Sequence, residues 1–322
     1  MIAAIVWSLA GLAALIVGAD LLVRGGAALA ARLGISPLFI GLTIVAIGTS
    51  TPELAVGIEA AVKGNGPLAV GNIAGTNTVN ILLILGLSAA LRPVAIEMQT
   101  LRLELPVMVI ASVTFLACAW DGVLTRMDGA LLVAMGLTFT LAIARLVRRE
   151  SIAVKREYVR EYGRWRYVDR QALREAAMLA GGLVVIVTGA DWLVDGAVAL
   201  AQIWKVSEAF IGLTIVAMGT SAPEFVTTML STMRGQRDIA IGNLIGSSVY
   251  NIFMILGITC LFPAGGIAVH PHLLRVDIPV MLAVALLCVP VFITGRRISR
   301  IEGILFVSAY SAYLTYLIVE RT

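Results

Sequence analysis

Charge is scarce in this chain of 322 residues: 14% of positions are charged and 59% hydrophobic, against about 25% and roughly 45–50% in a soluble domain. So little charge cannot cover a water-exposed surface, and the composition places the chain in lipid. Cysteine is rare and unpaired in spacing. Cys118, Cys260 and Cys288 lie in or at the ends of apolar runs, which argues against a disulfide framework or a thiolate metal site and reads as packing. The two histidines, His270 and His272, flank Pro271 in a polar loop and read as surface residues. No basic segment precedes Ile2 and no small-residue cleavage site follows the first apolar run, so that run is expected to be a retained span rather than a signal peptide.

What the chain does have is long apolar runs. Ile2 to Val23, Leu38 to Val62, Leu68 to Leu91, Leu103 to Ala119 and Gly129 to Val147 are followed by Ala176 to Ile203, Ala209 to Met233, Ile239 to Phe262, Ile278 to Ile293 and Ile301 to Val319. Each approaches or exceeds the roughly 20 residues that cross a bilayer as helix, about ten spans in all. The runs are continuous rather than alternating, which excludes a barrel. The net charge of +4 reports orientation in such a chain and does not point to nucleic acid. The stretch from Arg145 to Arg174 holds the densest arginines and is assigned to the cytoplasm. Arg24, Arg32, Arg92, Arg102, Arg234, Arg237, Arg296, Arg297 and Arg300 then fall on the same side, and both termini face outward. Trp7, Trp120, Trp192 and Trp204 fall towards span ends, as an interfacial belt would place them.

The chain repeats itself. FIGLTIVAIGTSTPE from Phe39 to Glu53 returns as FIGLTIVAMGTSAPE from Phe210 to Glu224, and GNIAGTNTVNILLILG from Gly71 returns as GNLIGSSVYNIFMILG from Gly242 at the same offset. VGADLLV from Val17 likewise returns as TGADWLV from Thr188. An odd number of spans per copy, about five, inverts the second copy relative to the first. The expectation is an all-α membrane protein of about ten transmembrane helices in two inverted-topology repeats of five. Residues 1–147 form the first repeat, 148–175 a basic cytoplasmic linker and 176–322 the second, inverted repeat.

Pro52 and Pro223 sit inside apolar runs, where each removes a helical hydrogen bond and displaces a carbonyl one turn back. Thr49 and Ser50 lie four and three residues before Glu53, as Thr220 and Ser221 do before Glu224, a spacing that puts hydroxyls and carboxylate on one helix face. The next span carries Thr76, Asn77 and Asn80, matched by Ser247, Ser248 and Asn251. All of these groups offer oxygen and none is His or Cys, which is the ligand chemistry of hard cations rather than of zinc or copper. Kinks and interhelical polar packing explain such residues in many membrane bundles. An intramembrane glutamate costs about 2–3 kcal/mol even on lenient scales, and two in one repeated motif point to an ion pathway. Asp20 and Asp191, at equivalent places near span ends, read as helix anchors.

The doubled G-T-S-x-P-E, each followed by G-N-x-x-G-[ST]-x-x-x-N, resembles the two alpha repeats of the calcium/cation antiporter superfamily, closest to its sodium/calcium exchanger branch. The resemblance implies cation sites clustered between the second, third, seventh and eighth helices, with the first and sixth sliding across them. By motif position it implies as ligands Glu53, Glu224, Thr49, Ser50, Thr220, Ser221, Thr76, Ser247, Asn80 and Asn251, with the carbonyls of Ala46 and Ala217. Glu53 and Glu224 would be the principal Ca2+ ligands. Several relatives carry Asp where this chain has Asn251, so a third acidic group is missing, which argues against K+ coupling. The function so implied is Na+/Ca2+ antiport by a monomer in a prokaryotic inner membrane, with Ca2+ and Na+ as cargo and no cofactor. Proton/calcium antiport and, from another class, a cation channel use the same site chemistry. An enzyme is disfavoured because no nucleophile accompanies the carboxylates.

Overall fold

The computed structural model describes residues 1–33, 35, 37–162, 170–204 and 217–321, without side chains at 33, 37, 147–162, 217, 320 and 321. The chain is helical almost throughout, as a backbone in hydrocarbon must be if it is to satisfy its own hydrogen bonds. The elements are α1 (Ile2–Leu33), α2 (Leu38–Thr49), α3 (Thr51–Val62), α4 (Gly66–Leu91), α5 (Thr100–Cys118), α6 (Arg126–Tyr162), α7 (Arg170–Ile203), α8 (Ala217–Thr220), α9 (Ala222–Met233), α10 (Arg237–Leu261), α11 (Leu273–Arg296) and α12 (Arg300–Arg321). Eight helices among the described residues are long and apolar enough to cross a membrane, and the bent pair α2 and α3 makes up to nine. The expected run from Ala209 to Met233 is represented by α8 and α9, and residues 205–216 lie outside the described ones. Of the basic linker, residues 163–169 lie outside as well.

Two helices, α4 and α10, form the centre. Their span windows are 72% and 83% buried, against 28% for α1 and α7, so the central pair has protein on nearly every side while the outer pair faces lipid on most of its surface. Around the centre, α3, α5, α6, α9, α11 and α12 close one large apolar core.

α1 and α7 pack against each other antiparallel along most of their length. The contact is made by glycines seven residues apart. A Cβ built on Gly11 would lie 2.4 Å from the Leu193 nitrogen, on Gly18 2.7 Å from that of Ile186, and on Gly25 2.7 Å from that of Leu179. From the other side, Cβ atoms on Gly182, Gly189 and Gly196 would meet the backbone of Leu22, Leu15 and Ser8 at 2.6, 2.8 and 2.6 Å. Only glycine lets two backbones approach so closely, and such small-residue seams hold helices together in lipid, where apolar area alone drives nothing. Trp7 and Trp192 meet edge to face across this seam, centroids 5.4 Å apart.

Short antiparallel strand pairs tie the loops. β1 (Val94–Ala95) pairs with β4 (Arg297–Ile298), and β2 (Val123–Leu124) with β3 (Ile267–Ala268). Each pair joins the two halves of the chain. Cys118, Cys260 and Cys288 are free, the last two buried. His270 is exposed, and the His272 Nδ1 lies 3.4 Å from the Asp277 carboxylate.

Candidate cation site

Helices α2 and α3 are bent by 40°, with Ser50 at φ −84°, ψ 11° between them and Pro52 in the first turn of α3. Ser221 takes the matching place before α9, at φ −84°, ψ 2°. Proline is tolerated there because the first amides of a helix have no partner to lose. Glu53 and Glu224 therefore sit in the first turns of new helices, where the exposed amide dipoles favour negative charge. Here the structure corrects the expectation that Thr49, Ser50 and Glu53 share one helix face. The axis changes direction between hydroxyls and carboxylate, so helical spacing no longer fixes their mutual contact.

The contact runs across the repeats instead. Ser50 Oγ donates to Glu224 Oε1 at 2.9 Å, and Ser247 Oγ lies 3.5 Å from the same oxygen. On the other side the Thr220 side chain faces Glu53. Ser221 Oγ reaches Thr76 Oγ1 at 3.4 Å, and Ser247 Oγ lies 3.5 Å from the Ala46 carbonyl, which Thr49 Oγ1 approaches to 3.4 Å. That carbonyl also accepts the Ser50 amide at 3.2 Å. Ala217 opens α8, its side chain outside those described.

Glu53, Glu224, Thr49, Ser50, Ser247, Asn80 and Asn251 are fully buried, with Ser221, Thr76 and Thr220 nearly so. Among the described residues neither oxygen of Glu53 has a partner at hydrogen-bond geometry, and Glu224 Oε2, both side-chain polar atoms of Asn80, and Asn251 Oδ1 also have none. Asn80 and Asn251 lie at the start of wide turns, Val79–Leu85 and Asn251–Leu256, in which the helix opens to i→i+5 bonding. Such turns are rare and recur at functional sites. The two carboxylates lie close enough to repel each other. Among the described residues neither forms an ion pair with Lys, Arg or His, and no third His, Cys, Asp or Glu joins them. Two bare carboxylates in a buried core are too costly to stand alone. Their unpartnered oxygens suit a hard cation that takes oxygen ligands.

Residue types around this set that spacing alone did not assign also matter. Asn77 Nδ2 donates to the Ser248 carbonyl at 3.0 Å while Asn77 Oδ1 accepts from Asn251 Nδ2 at 3.1 Å, which orients the Asn251 oxygen. Asn243 Oδ1 accepts from Thr49 at 3.1 Å, and Asn72 Nδ2 donates to the Glu53 carbonyl at 3.3 Å. The signal for the last two was the G-N that opens each second motif. Asp20, read as an anchor, forms ion pairs with Arg24 at 3.0 Å and with Arg234 at the end of α9.

The model of the sodium/calcium exchanger protein family matches residues 3–144 and again 175–319, once per repeat. The chain belongs to that family. It is 31% identical to the sodium/calcium exchanger MaX1 of Methanosarcina acetivorans over 96% of this chain and 97% of that one. It is also 38% identical to the inner membrane protein YrbG of Escherichia coli K12 over 86% of each. A solved structure of the sodium-calcium exchanger NCX_Mj, soaked with Na+ and Ca2+, superposes with a TM-score of 0.85 over 98% of both chains at 26% identity. This member of the family is thus an all-helical, multi-pass membrane protein of a transporter family, not of an enzyme family.

Proposed function

We propose that this chain exchanges Na+ for Ca2+ through a single site between its two repeats. The observation that carries the reading is the buried pair Glu53 and Glu224, without cationic partners among the described residues and ringed by hydroxyls from the opposite repeat. Glu53 and Glu224 bind Ca2+ most strongly; Thr49, Ser50, Thr220, Ser221, Thr76, Ser247, Asn80, Asn251 and the carbonyls of Ala46 and Ala217 complete the Ca2+ and Na+ positions. One Ca2+ or two Na+ neutralise the carboxylates. A third Na+ makes exchange electrogenic.

Ten helices in two inverted repeats supply the alternating access. The antiparallel seam of α1 and α7 supports this, since Gly11, Gly18 and Gly25 correspond by the repeat offset to Gly182, Gly189 and Gly196. The strand pairs support it too: β1 with β4 and β2 with β3 each join loops that the arginine distribution assigns to one side. With their backbones in contact, α1 and α7 slide as a unit across the site. An empty, doubly negative core resists being covered by apolar helix, whereas a neutralised one does not; coupling follows. The protein works as a monomer in the inner membrane, where the name of YrbG places that relative, with both termini outside and the basic linker in the cytoplasm.

The test is flux into proteoliposomes. An outward-directed Na+ gradient should drive Ca2+ uptake, and Glu53→Gln or Glu224→Gln should each lower it about 100-fold or more, since removing one partner of a buried charge set costs about 3–5 kcal/mol. Uptake driven by a pH gradient alone would assign the coupling ion as H+. Ohmic conductance, or near wild-type flux in either variant, would refute the site.

A further inference from the structure

The two repeats differ along one helix face below the carboxylates. In α9, Glu224, Thr227, Thr228 and Ser231 follow one another at helical spacing and are all fully buried, with Thr232 beside them. At the corresponding places after Glu53 the first repeat has Val56, Gly57, Ala60 and Ala61. Thr228 accepts from Asn243 Nδ2 at 3.1 Å, and Thr232 shares a 2.5 Å hydrogen bond with Ser88. Among the described residues Thr227 Oγ1 and Ser231 Oγ have no partner. Of the other buried hydroxyls, those of Thr78, Ser112, Ser248 and Thr259 turn back to the carbonyl four residues earlier at 2.7–3.0 Å, while Thr100 Oγ1 also lacks a partner among the described residues. The Thr227 and Ser231 hydroxyls forgo that bond although a buried hydroxyl left unmade costs about 1–3 kcal/mol.

We infer that Thr227 and Ser231 form a second, transient cation station for Na+ on the way between the carboxylates and the Met233 end of α9. The stripe extends about 10 Å from Glu224 at a rise of 1.5 Å per residue. It offers neutral oxygens only. A neutral hydroxyl pair can replace part of the water shell of a monovalent ion but does little for the two charges of Ca2+, which is left to the glutamates. The station therefore favours Na+ and belongs to one side of the membrane alone, the cytoplasmic side in the topology proposed above. The inference rests on the exchange reading.

The variant Thr227→Val with Ser231→Ala gives the second repeat the side chains of the first at these places and is close to isosteric. In oriented proteoliposomes, the half-saturating Na+ concentration applied at the cytoplasmic face should rise about 5–10-fold, with Ca2+ half-saturation at that face and Na+ half-saturation at the other unchanged. Thr227→Ser, which keeps the hydroxyl, should restore most of the wild-type value when Ser231 is intact. Unaltered Na+ dependence in a variant of wild-type thermal stability would overturn the station. An equal rise for Na+ and Ca2+ would overturn its selectivity, replacing it with a common wetted path. Absence of Na+/Ca2+ exchange in the wild type would instead remove the functional reading and this inference together.

Discussion

The ion pair of Asp20 with Arg234 offers a direct test of how the two helix systems move. Asp20 belongs to α1 and Arg234 follows α9, so the pair links α1, which is proposed to slide, to the core. The repeat offset that carries Asp20 onto Asp191 also carries Lys63 onto Arg234. That second pair is not made: Lys63 is held by Glu59 at 2.5 Å, and among the described residues Asp191 has no ion pair. One pair is closed at the end assigned to the cytoplasm and its counterpart is open at the other, which the alternating-access reading proposed above takes as a state open to the outside. Asp20→Asn should therefore shift the population towards the inward-open state. The side chains are 26% and 31% exposed, so solvent screening keeps the pair to about 0.5–1 kcal/mol, a two- to fivefold shift. Val226 packs in the cluster between α9 and α1. A single cysteine at Val226, native cysteines removed, should be labelled by an impermeant maleimide from the cytoplasmic face two to five times faster in the Asp20→Asn background. High salt should reproduce part of the effect in the parent. Unchanged or slower labelling, or an equal acceleration by Asp191→Asn, would refute the reasoning.

Replacing Gly18 by Val places a Cβ 2.7 Å from the Ile186 backbone and should cost about 1–3 kcal/mol by overpacking, lowering the thermal midpoint. Gly75→Ala, with nothing within 4 Å of the new Cβ, should leave it in place. Exchange should need no K+, and Asn251→Asp should make Ca2+ transport more acid-sensitive, because it adds a titratable group beside two carboxylates; superimposable pH profiles would refute this. Cysteines introduced between Arg145 and Glu175 should react with impermeant reagents only from the cytoplasmic side, and labelling in intact cells would overturn the topology.

The duplication, most of the apolar spans and the oxygen-bearing side chains that they carry were legible in the linear chain. Glu53 and Glu224 recur in one motif at one offset, and charge in an apolar run needs a reason. Asn80 and Asn251 stood out only by recurring at that same offset. The crossed contact of Ser50 with Glu224 was not. Helical spacing pairs Ser50 with Glu53, and that inference fails once the backbone bends at Ser50, an angle that Pro52 permits but does not specify. The wide turns that contain Asn80 and Asn251 carry no residue signal of their own, and the same opening occurs at Gly41–Val45, Thr100–Glu104 and Leu273–Asp277.

The glycines of α1 and α7 show the same division. Their sevenfold spacing is in the sequence, but a small-residue stripe names no partner, and only the packed structure sets Gly18 against Gly182 and Ile186. The anchor reading of Asp20 likewise stopped at its own helix, while its partner Arg234 lies far along the chain. Local chemistry, periodicity and the hydrophobic requirement of the bilayer act through neighbours in sequence, so the sequence alone determined which helices exist and which oxygens they carry. Which oxygens face each other, and which ion pair closes, depend on contacts between distant segments, and those only the tertiary structure decided.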